Sequence, residues 1–287
     1  MTNVKDLRLR IGGVSATAKI TKTMRMVASA ELVKYKKLLP LAIERKRLLE
    51  SHLFDLDPYT LSELSLLRGK NPLKKKKVKI ILGSDRGLCG GFNTKMLKIL
   101  NLGSVERPNG GNDIDEALIV VGKKISARVK DQKTKNLSCE NGLLYTFELA
   151  SYISELLLKF SDEYLLECSI IYSKFNNALS YEIVENELLP FSKNNQKNSS
   201  KDQKFAQLDI DDRDFASNLS LAYLKSEIHY ALLSSKASEE SSRFIAMDGA
   251  TKNSNQIIET LTLQMNKIRQ STITRELIEI VSSSQAL

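Results

Sequence analysis

From Phe191 to Leu287 the chain holds no proline and one glycine, Gly249, and from Val14 to Leu39 it holds neither. Runs of that length without breakers favour long helices at both ends. The breakers gather in between: ten of the thirteen glycines fall between Gly69 and Gly142, and all five prolines between Pro40 and Pro190. An N-terminal helix is expected from about residue 4 to about residue 57. It must cross Gly12-Gly13, where each glycine costs about 1 kcal/mol relative to alanine, because the apolar pattern passes the pair without changing phase.

That pattern is Leu7, Ile11, Val14, Ala18, Thr21, then Ala28, Leu32, Tyr35 and Leu39, with Arg25 at one intervening position. Ala250, Ser254, Ile257, Leu261, Met265 and Ile268 repeat it near the other end. Both stripes are narrow, and steps of four and three suit the seam of a two-helix coiled coil better than a helix lying on a broad core. Set antiparallel, the stripes match where residue numbers sum to 271 or 272: Leu7 with Met265, Ile11 with Leu261, Val14 with Ile257, Ala18 with Ser254 and Thr21 with Ala250. A flush register would need sums near 288 and pairs worse. In the first register a single helix of about 16 residues, roughly 24 Å at 1.5 Å per residue, projects beyond residue 271. Its Leu277, Ile280 and Val281 then need a cover from outside the chain.

The middle reads as α/β. Val78 to Leu82 and Ala117 to Val121 are short apolar strands, each followed by glycine and a helical pattern, and residues 144–160 form an amphipathic helix. Residues 166–173 and 180–189 read as a hairpin around Asn176-Asn177. The alternation predicts a small, mostly parallel sheet. SKNNQKNSSKDQK, residues 192–204, lacks any apolar residue and reads as a loop. KKKK at Lys74 to Lys77 reads as a solvated charge run at a domain edge. The resulting division is 1–58 (N-terminal helix), 76–190 (α/β domain), 191–208 (polar loop) and 209–287 (C-terminal helix).

KIILGSDRGLCGGFNTKM, residues 79–96, runs from strand through a glycine-rich turn into helix and invites a nucleotide reading. A P-loop needs G-x-x-x-x-G-K-[ST], so that backbone N–H groups surround the phosphates while a lysine and a hydroxyl reach the terminal phosphate and its magnesium. Here Gly83, Gly87, Gly90 and Gly91 are followed by Phe92 and Asn93. No two glycines are separated by a single residue, so the dinucleotide fingerprint fails as well. A tight structural turn is the expectation, with no cofactor and no metal site. Three cysteines, Cys89, Cys139 and Cys168, match no metal spacing, and their odd number speaks against a disulfide framework. The two histidines, His52 and His229, have no neighbouring ligand or nucleophile in the sequence. Catalysis is therefore not expected.

The net charge of +9 is uneven, since residues 1–50 hold twelve Lys/Arg against four acids. Such a segment suits nucleic acid, an anionic membrane or an acidic protein surface. The start MTNVKDLRLR lacks the apolar core of a signal peptide, and no apolar run approaches the roughly 18 residues of a membrane span.

Three stretches carry a resemblance. SDRGLCGGFN at Ser84 to Asn93, ITKTMRMVASAEL at Ile20 to Leu32, and the tail with SEESSRFIAMDGATKNSN and RQSTITRELIEIV together resemble the gamma subunit of the F-type ATP synthase. The resemblance implies that the end helices form an antiparallel coiled-coil shaft inside a hexamer of alpha and beta subunits. A Rossmann-like domain below would contact the epsilon subunit and the ring of c subunits, with ATP chemistry in beta. It implies no nucleic-acid partner, membrane contact only through the c ring, and a peripheral place at the cytoplasmic face of a bacterial inner membrane. By position, Met24 matches the shaft residue facing the moving lever of beta, and Arg243, near that level on the other helix, is expected to contact the hexamer as well. Arg269, Gln270, Thr274 and Glu276 match C-terminal positions implicated in holding the catch loops of the hexamer and in coupling. Glu31, Met265, Lys267, Ser283-Ser284 and Gly12-Gly13 depart from what is usual there. Two alternatives stay open on the residues alone: a basic coiled-coil nucleic-acid-binding protein, and a nucleotide-dependent α/β enzyme.

Overall fold

The computed structural model describes residues 4–54, 75–103, 115–129, 134–137, 143–161, 163–191 and 212–285. Among them the element order is α1 (Val4–Phe54), β1 (Lys75–Leu82), α2 (Phe92–Gly103), β2 (Asp115–Val121), α3 (Lys123–Ser126), β3 (Thr134–Leu137), α4 (Leu143–Ser161), β4 (Leu165–Phe175), β5 (Tyr181–Leu189) and α5 (Asp212–Gln285). The long N- and C-terminal helices bracket an α/β sheet, as the breaker distribution predicts. The polar stretch 192–204 lies outside the described residues.

The chain divides into two compact units: residues 1–30 with 243–287, and residues 31–242. In the second unit the sheet order is β3-β2-β1-β4-β5. The first four strands run parallel, and β5 returns antiparallel beside β4. One face buries Val78, Ile80, Leu82, Ile119 and Ile170 against Ile153 and Leu157 of α4 and Leu224, Ile228 and Leu232 of α5. The other face packs Ile81, Val120 and Ile171 on Phe92 and Met96 of α2 and Ile125 of α3. In the same unit α1 meets α5 through Leu32, Tyr35, Leu39 and Ala42 against Leu233 and Ala237.

Two expectations shift here. The lysine run is not an edge tail: Lys75, Lys76 and Lys77 open β1. Lys76 carries its ammonium over the rings of Phe160 and Tyr164, at 4.7 and 4.6 Å, so the strand can accept lysines whose stems lie on aromatic surface. The sheet also has a strand that no apolar pattern announces, the four-residue TKNL of β3.

In the first unit the two helices pair antiparallel. Thr251 Oγ1 donates to Thr21 Oγ1 at 2.9 Å, and Arg25 reaches Asp248 at 2.5 Å. The paired numbers sum to 272 and 273, within a residue or two of the expected 271 or 272 and far from the 288 of a flush register. The seam on α1 keeps the expected positions, with Leu7, Ala18, Thr21 and Ala28 buried. On α5 it is displaced by one residue at two places. Thr251 is buried where Ala250 is expected, and Ile257 is 49% exposed while its neighbour Ile258 is half-buried. Met247, Thr251, Ser254, Ile258, Leu261, Met265, Ile268 and Thr272 then form an unbroken heptad series. Gly12 and Gly13 face open space. α1 also runs through Pro40, which leaves the Lys36 carbonyl without its usual donor at an exposed position where water can reach it.

Candidate functional site

In an open parallel sheet, ligands bind at the carboxyl ends of the strands, where the strand order reverses. Here that point lies between β1 and β4, and α5 fills it. Ser235 Oγ donates to the carbonyl of Leu82, the last residue of β1, at 3.2 Å. Ser234 Oγ donates to the Ser173 carbonyl at 3.1 Å and accepts the Phe175 N–H at 2.8 Å. Ser238 Oγ donates to the same Ser173 carbonyl at 3.2 Å. Further along, Ser241 Oγ donates to Ala178 O at 2.5 Å and Ser242 Oγ to Cys89 O at 2.7 Å. Every residue from Ala231 to Ser241 is buried. A stretch written ALLSSKASEES would pass for an exposed helix, yet its hydroxyls take up the carbonyls that a crevice would otherwise offer to a ligand.

The glycine turn is closed by its own side chains. Asn93 Nδ2 donates to Ser84 Oγ at 2.6 Å while Asn93 Oδ1 accepts the Ser84 N–H at 3.2 Å. Ser84 Oγ in turn donates to Arg86 O at 2.9 Å. Asp85 Oδ1 accepts the N–H of Lys123, the first residue of α3, at 3.1 Å. A Cβ on Gly83 would lie 2.4 Å from Ile125 Cδ1, so this glycine lets α3 approach the strand end. Gly90 takes φ 58°, the left-handed region. Gly91 faces open space and Gly87 meets only the far end of Lys124. Beside the turn, Lys236 Nζ donates to Glu239 Oε2 at 3.2 Å and lies 3.6 Å from Asp85 Oδ2. All three side chains are largely buried.

His229 sits where α1, α4 and α5 converge, 3.3 Å from Thr146 Oγ1 and edge-on to the Phe147 ring, whose other neighbour is the Arg45 guanidinium. Burial, and secondarily Arg45, hold its imidazole pKa below the usual 6.5. Burial likewise pushes the Cys168 thiol and the Tyr172 phenol up. Among the described residues no group of three or more His, Cys, Asp or Glu could hold a metal, and no helix is long and apolar enough to cross a membrane.

The positions singled out on the end helices fall into different settings. Met24 is half-buried. Arg243 is 4% exposed and engaged within the chain. Arg269, Gln270, Thr274 and Glu276 are exposed on α5. The helical period sets Arg269 and Glu276 on one face and Gln270 and Thr274 on another, where the Thr274 hydroxyl donates to Gln270 O at 2.9 Å. From Ile273 to Ser284 every residue is exposed, including Ile273, Leu277, Ile278, Ile280 and Val281. Glu31 pairs with Lys34 on its own helix at 2.7 Å. Sequence reasoning missed the serine contacts of α5. The only available signal was the density of serine in a segment too polar to be a core and too long to be a loop.

A family model described as ATP synthase matches residues 3–287. The ATP synthase gamma chain of Rickettsia felis is 32% identical over 293 residues, covering 100% of both chains. That of Clostridium perfringens is 34% identical over 293 residues, covering 98% of this chain and 97% of the relative. Among solved structures, a chain of the Euglena gracilis mitochondrial ATP synthase rotor superposes with a TM-score of 0.61 at 18% identity, over 94% of this chain and 98% of that one. A chain of the Tetrahymena thermophila mitochondrial ATP synthase central stalk and c ring does so with 0.55 at 22%, over 80% and 99%.

Proposed function

Since the chain belongs to the ATP synthase family, as one of its gamma chains, we propose that it is the central-stalk rotor subunit of an F-type ATP synthase. It couples ion-driven rotation of the c ring to conformational changes in the catalytic beta subunits, in synthesis and in reversible hydrolysis. It is a non-catalytic subunit. Its glycine turn, with Gly83, Gly87, Gly90 and Gly91, is structural, and α5 occupies the crevice a nucleotide would use. The functional division is two shaft helices, 1–58 and 209–287, around the Rossmann-like domain 76–190 with its loop 191–208. Partners are the alpha and beta subunits, epsilon and the c ring. The subunit meets the membrane only through that ring, at the cytoplasmic face of the bacterial inner membrane.

The observation that carries the reading is the end of α5. Beyond Thr272 it exposes five large apolar residues along one broad face of a lone helix. A surface of that kind is stable in water only when something encloses it, and a sleeve formed by the hexamer does so. Rotation within the sleeve works through difference. A shaft without threefold symmetry shows each beta subunit another face, and it shifts their open and closed states only by the free energy with which each state prefers that face. One charge crossing the membrane supplies roughly 2.3 kcal/mol per 100 mV, so several crossings must accumulate in each catalytic event. The basic surface of α1, with Lys19, Lys22, Lys36 and Lys37 exposed, offers acidic levers a contact that slides without a deep packed minimum.

Met24, Arg269, Gln270, Thr274 and Glu276 make the contacts to the hexamer, whereas Arg243, at 4% exposure, supports the shaft from within instead of reaching the hexamer as expected. Exposed charged and amide groups suit reversible hydrogen bonding. Arg269→Ala and Gln270→Ala should therefore leave the complex assembled while lowering ATP synthesis in membrane vesicles. Wild-type synthesis rates in both variants would make these residues passive surface.

A further inference from the structure

Resting on the rotor reading above, a demand falls on the second unit: torque must pass between its sheet and α5, about an axis near that of the helix. Apolar packing is poorly suited to this. The α5 side chains facing α1 and the sheet here are small or smooth, Ala231, Leu232, Leu233 and Ala237, and a packed surface of that shape changes energy slowly as a helix turns within it. Directional groups change it steeply. The serines form two tracks along α5: Ser234, Ser238 and Ser241 toward β4 and its hairpin, and Ser235 with Ser242 toward the end of β1 and the glycine turn. On the remaining arc stand Lys236 and Glu239.

Lys236 is 7% exposed and Glu239 is 2% exposed. The ammonium of Lys236 lies between the Glu239 carboxylate of its own helix and Asp85 of the glycine turn, at 3.2 and 3.6 Å. The buried Oδ2 of Asp85 accepts no hydrogen bond, so the Lys236 charge is what answers it. Its Oδ1 is tied to the backbone of α3. One lysine thus links α5 to the connections that follow both β1 and β2. Burying such charges adds little to stability against a well-packed apolar alternative, but separating them inside the protein leaves uncompensated charge and is strongly unfavourable. A contact with that profile contributes little to folding and much to resisting a slip.

We propose that Lys236, held between Asp85 and Glu239, keys α5 against turning in its socket and is the positioning residue through which torque passes between the sheet and the shaft helix. The test uses the whole ATP synthase, reconstituted in vesicles, with ATP hydrolysis and ATP-driven ion pumping followed together. Asp85→Asn removes the charge facing Lys236 while retaining an acceptor for the Lys123 N–H. Lys236→Met removes the key itself, and Lys236→Arg keeps the charge. Both Asp85→Asn and Lys236→Met should leave hydrolysis within about twofold of wild type. Pumping against an established gradient should fall at least about fivefold, and Lys236→Arg should restore it. Hydrolysis and pumping falling in proportion, both staying unchanged, or complexes failing to assemble with the two uncharging variants would each overturn the proposal, the last by making the pair a folding element. Failure of the rotor reading looks different: the wild-type chain would not be needed for coupled pumping at all.

Discussion

Substituting Gly83 by alanine separates a packing role for the glycine turn from a ligand-binding one. The φ of Gly83 lies outside the left-handed region, so the penalty for a side chain there is steric rather than conformational. The new Cβ would stand 2.4 Å from Ile125 Cδ1, 2.7 Å from Cγ1 and 3.0 Å from Cβ. Swinging the end of the isoleucine aside does not relieve all three contacts. Ile125 is fully buried among Ile81, Cys89, Phe92, Met96 and Val120, which leaves α3 itself to move. Overpacking of this kind costs about 1–3 kcal/mol. The chain has no tryptophan, so urea unfolding followed by tyrosine fluorescence, with Tyr172 and Tyr181 in the sheet, reads the change. Ile125→Val removes the closest atom and alone should cost about 0.5–1.5 kcal/mol. In the Gly83→Ala background it should cost less or become favourable, a coupling of about 1 kcal/mol. Two penalties that simply add, or a Gly83→Ala chain as stable as wild type, would refute the steric explanation.

Gly12→Ala and Gly13→Ala meet open space in a helix interior, so each should raise the stability of the chain by up to about 1 kcal/mol in urea titration. Thr21→Cys with Thr251→Cys, in a chain without its native cysteines, should cross-link in mild oxidant, since the two hydroxyls touch, whereas Val14→Cys with Thr274→Cys should not. The pKa of His229 is lowered on folding by burial and Arg45, so the unfolded chain binds the extra proton. Stability is then complete above about pH 6.5 and declines as pH falls below it. His229→Gln should flatten that decline between about pH 7.5 and about pH 5.5 in urea midpoints.

The parts of this fold that the sequence exposes are those governed by local rules. Long helices follow from where proline and glycine are missing, and the register follows because steps of four and three on two stripes can match in few ways. The displacement on α5 arises where local rules fall silent. Ile257 and Ile258 are the same residue side by side, and only the position of α1 decides which one is covered. Thr251 enters the seam in place of Ala250 because its hydroxyl finds Thr21 on the other helix. The strand β3 is composed of Thr134, Lys135, Asn136 and Leu137 and owes its place to pairing with β2 rather than to its own pattern. The serines of α5 are the furthest from legible. Their partners, Leu82, Cys89, Ser173 and Ala178, are backbone carbonyls at sequence distances of 61–153 residues. A hydroxyl's helical neighbours say nothing about such a carbonyl. The candidate contacts at Arg269, Gln270, Thr274 and Glu276 come from resemblance to the family, and what the fold adds is that all four are exposed on a helix end, where Thr274 bonds back to the Gln270 carbonyl of its own helix.

A rotor subunit must turn inside the hexamer. Assembled with the alpha and beta subunits of the same synthase, with the hexamer fixed to a surface and a probe attached through Lys95→Cys of α2 in a chain without its native cysteines, ATP should drive the probe in one direction in three steps per revolution. A complex that hydrolyses ATP while the probe stays still, or that hydrolyses it equally well without this chain, would contradict the rotor assignment.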